Sequence, residues 1–200
     1  MDTRGKTMRR LHLEKKGIRG LAIADSFMHN SQKSVLAGIV ISNDFLIDGF
    51  VFGSATIKGD DATDQIISMY QRLERNDISY LMISGIVISL YNMIDVKKIY
   101  KSICIPTIGV TYSNSGNLHE TIKTHFPENY EKKLIRYSKI GEREKVLLNS
   151  GIDFHVRYEG CNGLECKQLL EKICISDFPE PLRIAKQLAR SIMREQNNTN

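Results

Sequence analysis

Carboxylate side chains are concentrated where the chain passes from an extended segment to a helical one, between residues 45 and 70. Residues 45–53 are rich in aromatic and branched side chains, which is typical of a β-strand. A turn with three carboxylates follows, and residues 66–73 carry apolar side chains at helical spacing. Ligands of α/β proteins gather at the carboxyl ends of strands, so this turn is a candidate site for chemistry. Its three carboxylates are Asp60, Asp61 and Asp64.

These carboxylates have two interpretations, and the local sequence does not decide between them. As a helix cap, Asp61 would accept backbone N–H groups and Asp64 would complement the helix dipole, which stabilises a helix by about 0.5–2 kcal/mol. As a metal site, they would supply the oxygen ligands that Mg²⁺ and Mn²⁺ prefer. The second interpretation requires that carboxylates from other elements converge on the turn.

Length and composition restrict the class of protein. Two hundred residues are expected to form one domain with a substantial core. No apolar run approaches the roughly 20 residues of a membrane span, and no secretory signal opens the chain, so we expect a cytoplasmic protein without a membrane partner. The four cysteines form no C-x-x-C pair and are expected to be buried, reduced thiols.

The positive charge is concentrated at the amino terminus. The net charge is +5, and residues 1–19 alone contribute +5 because they hold seven basic side chains against two acidic ones. We interpret residues 1–17 as a basic arm, followed by a single domain over residues 18–196. The arm is either a phosphate contact or a solvated terminus. Its candidate nucleic-acid contacts are Arg9, Arg10, Lys15 and Lys16.

The periodicity of apolar side chains predicts an α/β order of elements. Residues 18–24, 35–41 and 45–53 predict three strands joined by short turns, which favours an antiparallel meander. Residues 78–83 and 105–111 predict two more strands with a short helix between them, a βαβ unit with a right-handed crossover. Other helices are expected after Asp61, twice within 118–140 with a break at Pro127, at 164–173 and from Pro179, and a hairpin within 146–157.

The last predicted helix has one apolar face and one basic face. Leu182, Ala185 and Ala189 fall on the apolar side, which is expected to pack against the rest of the domain. The basic side is either a solvated surface or a stripe that binds phosphates. Its candidate nucleic-acid contacts are Arg183, Lys186 and Arg190.

Several short segments, taken in order, resemble one family of proteins. A meander, a helix and a βαβ unit are the plan of ribonuclease-H-like nucleases, and the segments are more similar to an archaeal family that is related to endonuclease V and named for endonuclease dU. The similarity covers nearly the whole chain. The segments are 22–27 (AIADSF), 57–63 (IKGDDAT), 84–86 (SGI), 91–95 (YNMID) and 179–185 (PEPLRIA).

The resemblance implies a fold and an activity. The implied fold is a ribonuclease-H-like mixed sheet, an antiparallel three-strand meander plus parallel strands, with helices on both faces. The implied activity is that of a DNA-repair hydrolase that cleaves DNA or RNA near a deaminated base, with Mg²⁺ or Mn²⁺ to activate water. Asp25 and Asp61 are the implied catalytic residues and metal ligands, and Asn92 and Asp95 are the other polar residues retained. Asp95 is also expected to cap the short helix that follows it.

This sequence departs from the family pattern at three positions. Ala24, Lys58 and Ser84 stand where the family has aspartates. Alanine cannot bind a metal ion, and two like unit charges 4 Å apart repel by about 4 kcal/mol at an effective dielectric near 20, so Lys58 opposes a cation. We therefore expect weakened or lost catalysis. The alternatives are a non-catalytic nucleic-acid-binding protein on the same fold, to which Lys58 would contribute a basic contact, and a protein-interaction scaffold.

Overall fold

Strands of the chain form one mixed sheet. The computed structural model describes residues 8–14, 17–28, 30–112 and 118–198. Within these ranges, seven strands form a single sheet in the order β3-β2-β1-β4-β7-β9-β8. They are β1 (Arg19–Ser26), β2 (Lys33–Ser42), β3 (Ile47–Thr56), β4 (Ile78–Ser84), β7 (Thr107–Thr111), β8 (Glu144–Leu147) and β9 (Asp153–Glu159), while β5 (Val87–Ile88) and β6 (Asn92–Met93) form a separate hairpin.

The pairing of the strands confirms the predicted topology. β1, β2 and β3 pair antiparallel, as expected for the meander. β4 pairs parallel with both β1 and β7, which confirms the βαβ unit. The hairpin predicted within residues 146–157 is β8 and β9, and β9 adds antiparallel to β7. The parallel pairing places the carboxyl ends of β1, β4 and β7 at one edge of the sheet.

Helices cover both faces of the sheet and bury a separate apolar core on each. One core contains side chains of the first four helices, such as Ile66, Ile99 and Ile122. The other contains side chains of the last two, such as Leu169 and Leu182. No helix among the described residues is long and apolar enough to cross a membrane. The helices are α1 (Ala62–Arg72), α2 (Val96–Ile103), α3 (Leu118–His125), α4 (Tyr130–Ile140), α5 (Gly163–Ile173) and α6 (Glu180–Asn198).

Alternation along β1 assigns each side chain of this strand to one of the two cores. Leu21 and Ile23 pack in the core of α1 and α2. Ala22 and Ala24 pack in the core of α5 and α6. Since successive side chains of a strand point to opposite faces, Asp25 follows Ile23 to the face of α1.

The edge strand β3 is protected by two arginines. Arg72 of α1 donates to the carbonyl oxygen of Phe52 at 2.5 Å, and Arg75 donates to that of Asp48 at 3.1 Å. These bonds satisfy backbone groups of β3 that another strand would otherwise pair with. The arrangement disfavours the addition of a further strand at this edge.

The amino-terminal segment packs on the domain where the structure describes it. Leu11 and Leu13 are buried in the core of α5 and α6. The Lys172 ammonium donates to the carbonyl oxygen of Leu13 at 3.1 Å. Within residues 8–14 of the predicted arm, Leu11 and Leu13 are therefore packed on the domain, while the other residues are exposed. The rest of the basic arm, including Lys15 and Lys16, lies outside the described residues.

Candidate functional site at the strand ends

The Asp25 carboxylate, at the carboxyl end of β1, is buried and surrounded by donors. The residue is 5% exposed. Its Oδ2 accepts from the Ser89 backbone N–H at 2.8 Å and from the Ser89 hydroxyl at 3.2 Å. The Lys186 ammonium lies 3.3 Å from Oδ1 and donates to the Asp25 backbone carbonyl at 2.6 Å. One cation and two neutral donors thus neutralise and hold this carboxylate.

Ser89 extends the Asp25 contacts into a buried polar network. The Ser89 and Ser34 hydroxyl oxygens are 2.6 Å apart, and because the Ser89 hydroxyl donates to Asp25, Ser34 is the donor in this pair. The network therefore joins β1, β2 and α6 to the β5–β6 hairpin. Ser89, Leu90 and Tyr91 have consecutive positive φ angles of 47°, 52° and 68°. Such angles are unfavourable for non-glycine residues and persist only where contacts enforce them.

Asp61 occupies the N-cap position of helix α1 and Asp64 lies in its first turn, as the capping interpretation predicted, but the Asp61 carboxylate makes no cap bond to the helix. Its carboxylate instead accepts from the Thr56 backbone N–H at 3.0 Å, the Thr56 hydroxyl at 2.8 Å and the Asn92 amide at 2.7 Å. The buried Asn92 accepts from the Ala62 N–H at 3.1 Å and so provides the cap that Asp61 does not. Burial raises the pKa of Asp61, but the bonds from Asn92 and Thr56 outweigh it and lower the pKa below 3.8.

The two predicted catalytic aspartates have separate sets of partners. Asp25 binds Ser89 and Lys186, while Asp61 binds Thr56 and Asn92. Asp25 is bonded to Ser89 and Asp61 to Asn92, so both aspartates contact the β5–β6 hairpin. They share no other partner among these bonds. Asp95 caps helix α2, as predicted, because its carboxylate accepts from the Lys98 N–H at 2.8 Å.

The three substituted positions lie around this edge of the sheet. Ala24 faces the core of α6, and Ser84 has the same orientation because Met82, two residues earlier on β4, belongs to that core. Ala24 and Ser84 therefore share one face, and Asp25 lies on the other. Lys58 is next to the site through its backbone, whose N–H donates to the Ser89 carbonyl at 2.9 Å.

The basic stripe of α6 passes this edge. Lys186 is anchored on Asp25, and the i−3 and i+4 spacing places Arg183 and Arg190 about one turn to either side of it. Both arginines are exposed. Arg183 forms a two-point ion pair with Glu180 through its Nε at 2.6 Å and its Nη2 at 2.5 Å.

Arg9 and Arg10 lie near the amino ends of the parallel strands, at the opposite end of the sheet from Asp25. The Arg9 guanidinium donates to the Asn76 carbonyl at 2.6 Å. Together with Arg19 and Asp77, both arginines line a cavity of about 610 Å³ at the amino ends of β1 and β4. The length of β1, roughly 23 Å at 3.3 Å per residue, separates this cavity from Asp25. The structure therefore does not bring these arginines together with Lys58, Arg183, Lys186 and Arg190.

The described residues do not fit a divalent metal ion. Within them, no three histidine, cysteine, aspartate or glutamate side chains are close enough to share one. The remaining turn carboxylates are also paired: Asp60 lies 3.0 Å from the Lys133 ammonium and 2.6 Å from the Arg136 guanidinium, and Asp64 pairs with Lys98 at 2.5 Å. Each of these two carboxylates is therefore held by resident basic side chains.

Sequence reasoning missed three residues of this region, namely Ser34, Ser89 and Lys133. All three are buried polar side chains. Ser89 could have been identified from its position in the apolar segment 86–94, because a hydroxyl that is buried in such a segment requires a hydrogen-bond partner. Lys133 had no such signal, because it lies in a polar helix with three other basic residues.

The strand order and pairing define a ribonuclease-H-like protein with the fold of endonuclease V. A structure of Ciona intestinalis endonuclease V in complex with inosine-containing DNA has the same fold, with a TM-score of 0.60 and 13% identity, over 94% of this chain and 91% of that one. A protein of unknown function from Archaeoglobus fulgidus is more similar. Its TM-score is 0.74 with 27% identity, over 88% of this chain and 98% of that one.

Residues 16–193 match the family model described as Endonuclease dU, and the chain belongs to this family. A UPF0215 protein of Pyrobaculum calidifontis is 30% identical over 178 residues, which are 88% of this chain and 96% of that protein. The family and the mixed-sheet fold implied by the sequence motifs are thereby confirmed.

Proposed function

We propose that this protein binds nucleic acid at the strand-end surface without metal-dependent hydrolysis of a phosphodiester. The observation that carries the proposal is the Lys186 ammonium on Asp25, with Ala24 and Ser84 on the adjacent strand ends. Carboxylates from separate elements are needed to hold a pair of catalytic metal ions. Here one carboxylate is bound to a resident cation, and its neighbours are neutral.

The charge of Lys186 opposes a metal ion at Asp25. A metal ion at 4 Å from the ammonium would be repelled by about 4 kcal/mol for each unit of its charge, at an effective dielectric near 20. It would also have to displace the two Ser89 donors from a buried carboxylate. Both costs favour the existing ammonium–carboxylate pair over a divalent ion.

Three findings support nucleic acid as the partner. Basic side chains of α6 border the strand ends, and Lys58 lies next to Ser89. The family is named for an endonuclease. Ciona endonuclease V, which shares the fold, has been crystallised with DNA. Basic groups along a surface contact phosphates without reading sequence, so the proposed binding depends on salt.

The experiment combines binding and cleavage on the same oligonucleotides. Fluorescence anisotropy with DNA and RNA that contain uracil or inosine should show binding that is equal in EDTA and in Mg²⁺ or Mn²⁺, and no cleavage product on denaturing gels. Arg183→Ala with Arg190→Ala should weaken binding and lower the slope of log Kd against log salt by about two. Lys97→Ala with Lys101→Ala, an equal charge change on exposed residues of α2, is the matched control.

A second candidate function is a metal-dependent endonuclease that acts near deaminated bases, with Asp25 and Asp61 as ligands. The match over residues 16–193 favours it. Cleavage that requires Mg²⁺ or Mn²⁺ and is lost in Asp25→Ala with Asp61→Ala would replace the binding proposal with this one. Absence of binding even at low salt would remove both candidates and leave a protein-interaction scaffold.

A further inference from the structure

A second basic cavity, lined by an aromatic ring, lies beside the strand-end site. It has a volume of about 520 Å³ and is formed by the turn after β3 and by the residues around the start of α4. This volume is within the range of small-molecule sites. We refer to it as the Phe126 pocket, and its lining includes Lys58, Asp60, Phe126, Lys132, Lys133 and Arg136.

Lys133 makes the base of the Phe126 pocket rigid. The residue is 6% exposed. Its ammonium donates to the carbonyl oxygens of Lys58 at 3.0 Å and Gly59 at 2.9 Å, and to the Asp60 carboxylate at 3.0 Å. These bonds hold the turn, in which Lys58 has a positive φ of 60°. The position of Lys58 at the pocket is therefore enforced by contacts and does not follow from its own backbone preference.

The Phe126 pocket has an excess of positive charge. Its four cations face one carboxylate, that of Asp60, which is already neutralised by Lys133 and Arg136 at 3.0 and 2.6 Å. Lys58 and Lys132 are both exposed. A ligand with a phosphate group would add the negative charge that this set of side chains lacks.

The aromatic ring gives the pocket a second binding feature. Phe126 is half-buried and contacts Tyr91 edge to face, with ring centroids 5.3 Å apart. The Lys133 ammonium lies 4.9 Å from the centroid of the Phe126 ring and the Lys58 ammonium 5.9 Å. An aromatic ring beside phosphate-binding cations is the combination with which proteins bind single-stranded nucleic acid.

We propose that the Phe126 pocket binds one nucleotide of a single strand, with the base on the Phe126 ring and a phosphate on Lys58 and Lys132. The ring can stack only on a base whose face is free, which a base inside a duplex does not offer. The inference rests on the proposed nucleic-acid function and deepens it. The pocket is connected to the strand-end site through Lys58, whose N–H donates to the carbonyl of the same Ser89 that holds Asp25.

Phe126→Trp provides a direct test, because the chain contains no tryptophan. Titration with a 12-residue oligothymidylate should quench the fluorescence of this variant, and the matching 12-base-pair duplex should quench it far less. Lys58→Ala with Lys132→Ala should weaken binding of the single strand about tenfold. Lys123→Ala, which removes a lysine on the neighbouring helix α3 away from the pocket, should leave it unchanged.

The outcomes separate this inference from the proposed function. Oligonucleotide binding by anisotropy without quenching, and with full affinity in Lys58→Ala with Lys132→Ala, overturns the pocket and leaves the proposed function intact. Quenching by thymidine monophosphate without oligonucleotide binding supports the pocket against the proposed function. A glutamate hexapeptide that quenches as strongly as the oligothymidylate overturns the nucleotide assignment. Phe126→Leu, which keeps an apolar side chain but removes the ring, should lose single-strand affinity about fivefold or more while the protein still unfolds cooperatively.

Discussion

Asp25 shows that two adjacent positions of one strand are not equivalent places for a carboxylate. Ala24 and Ser84 share the face of α6, whereas Asp25 follows Leu21 and Ile23 to the face of α1. Successive side chains of a strand point to opposite sides, so an aspartate at position 25 cannot replace one at position 24. Its carboxylate instead stabilises the packing of α6 and the β5–β6 hairpin against the end of β1.

Removal of the Lys186 charge should destabilise the protein. Lys186→Met leaves the buried Asp25 carboxylate without its cation, and we expect the free energy of unfolding to fall by about 1–3 kcal/mol in urea titrations. In Asp25→Asn the same lysine change should cost less, because no buried charge is left unpaired. Equal costs in the two backgrounds would show that the ammonium and the carboxylate do not interact.

Asp61 should make stability depend on pH in the acidic range. Its pKa is lower in the folded state than the usual value of 3.8, so the folded state favours the ionised form. The resulting stabilisation is present above pH 3.8 and is lost as the pH falls through the folded-state pKa. We therefore expect Asp61→Asn to be less stable than the wild type at pH 6 and the difference to narrow below about pH 4, measured by chemical denaturation. A difference that is constant from pH 6 to pH 3 would contradict the lowered pKa.

At the scale of elements, the β5–β6 hairpin connects the parts of the site. Ser89 holds Asp25, and Asn92 holds both Asp61 and the first turn of α1. The Tyr91 carbonyl oxygen lies 3.3 Å from the Lys133 ammonium of α4. Three consecutive residues with positive φ allow one short hairpin to make all of these contacts.

Asn92 should be sensitive to a change that preserves its shape. Asn92→Asp replaces the amide that donates to Asp61 at 2.7 Å with a second carboxylate, and it also removes the bond to the Thr56 carbonyl. We expect a loss of about 2–4 kcal/mol in the free energy of unfolding at pH 7, and a smaller loss below about pH 4, where a proton can be shared. The same change at the exposed Asn129, which begins α4 without a side-chain cap bond, is the control and should be nearly neutral. Equal effects at the two positions would refute the role assigned to Asn92.

At the scale of the whole molecule, the basic residues belong to two separated surfaces. Arg9 and Arg10 line the cavity at the amino ends of β1 and β4. Lys58 and the stripe of α6 border the carboxyl ends. The charge of the chain is therefore not directed at a single surface.

Substitutions in the amino-terminal segment should affect the stability of the fold more than the binding of nucleic acid. Leu11 and Leu13 are 4% and 8% exposed in the core of α5 and α6. We expect Leu11→Ala to lower the free energy of unfolding by about 2–4 kcal/mol in urea titrations. Arg10→Ala should change it by less than about 0.5 kcal/mol and should leave the affinity for a short oligonucleotide unchanged. A stable Leu11→Ala variant would contradict the packing role of this residue, and an Arg10→Ala variant that no longer binds would support the interpretation of this segment as a phosphate-binding arm.

Local sequence was sufficient to predict the order of the main strands and helices, but not the β5–β6 hairpin. The meander, the βαβ unit, the helix break at Pro127 and the apolar face of α6 depend on side-chain periodicity and on proline, which act over a few residues. The family followed from motifs of three to seven residues. These features require no knowledge of which distant residues meet.

Three-dimensional packing decided the roles of the polar side chains. Asp61 looked like a helix cap, yet the side chain that caps α1 is that of Asn92, 31 residues further along the chain. Asp25 looked like a metal ligand, yet Lys186 from the last helix occupies its carboxylate. Lys133 looked like part of a solvated helix and is a buried clamp of the turn at Lys58. A buried polar group takes the partner that folding brings within about 3 Å, and for these groups that partner is remote in sequence.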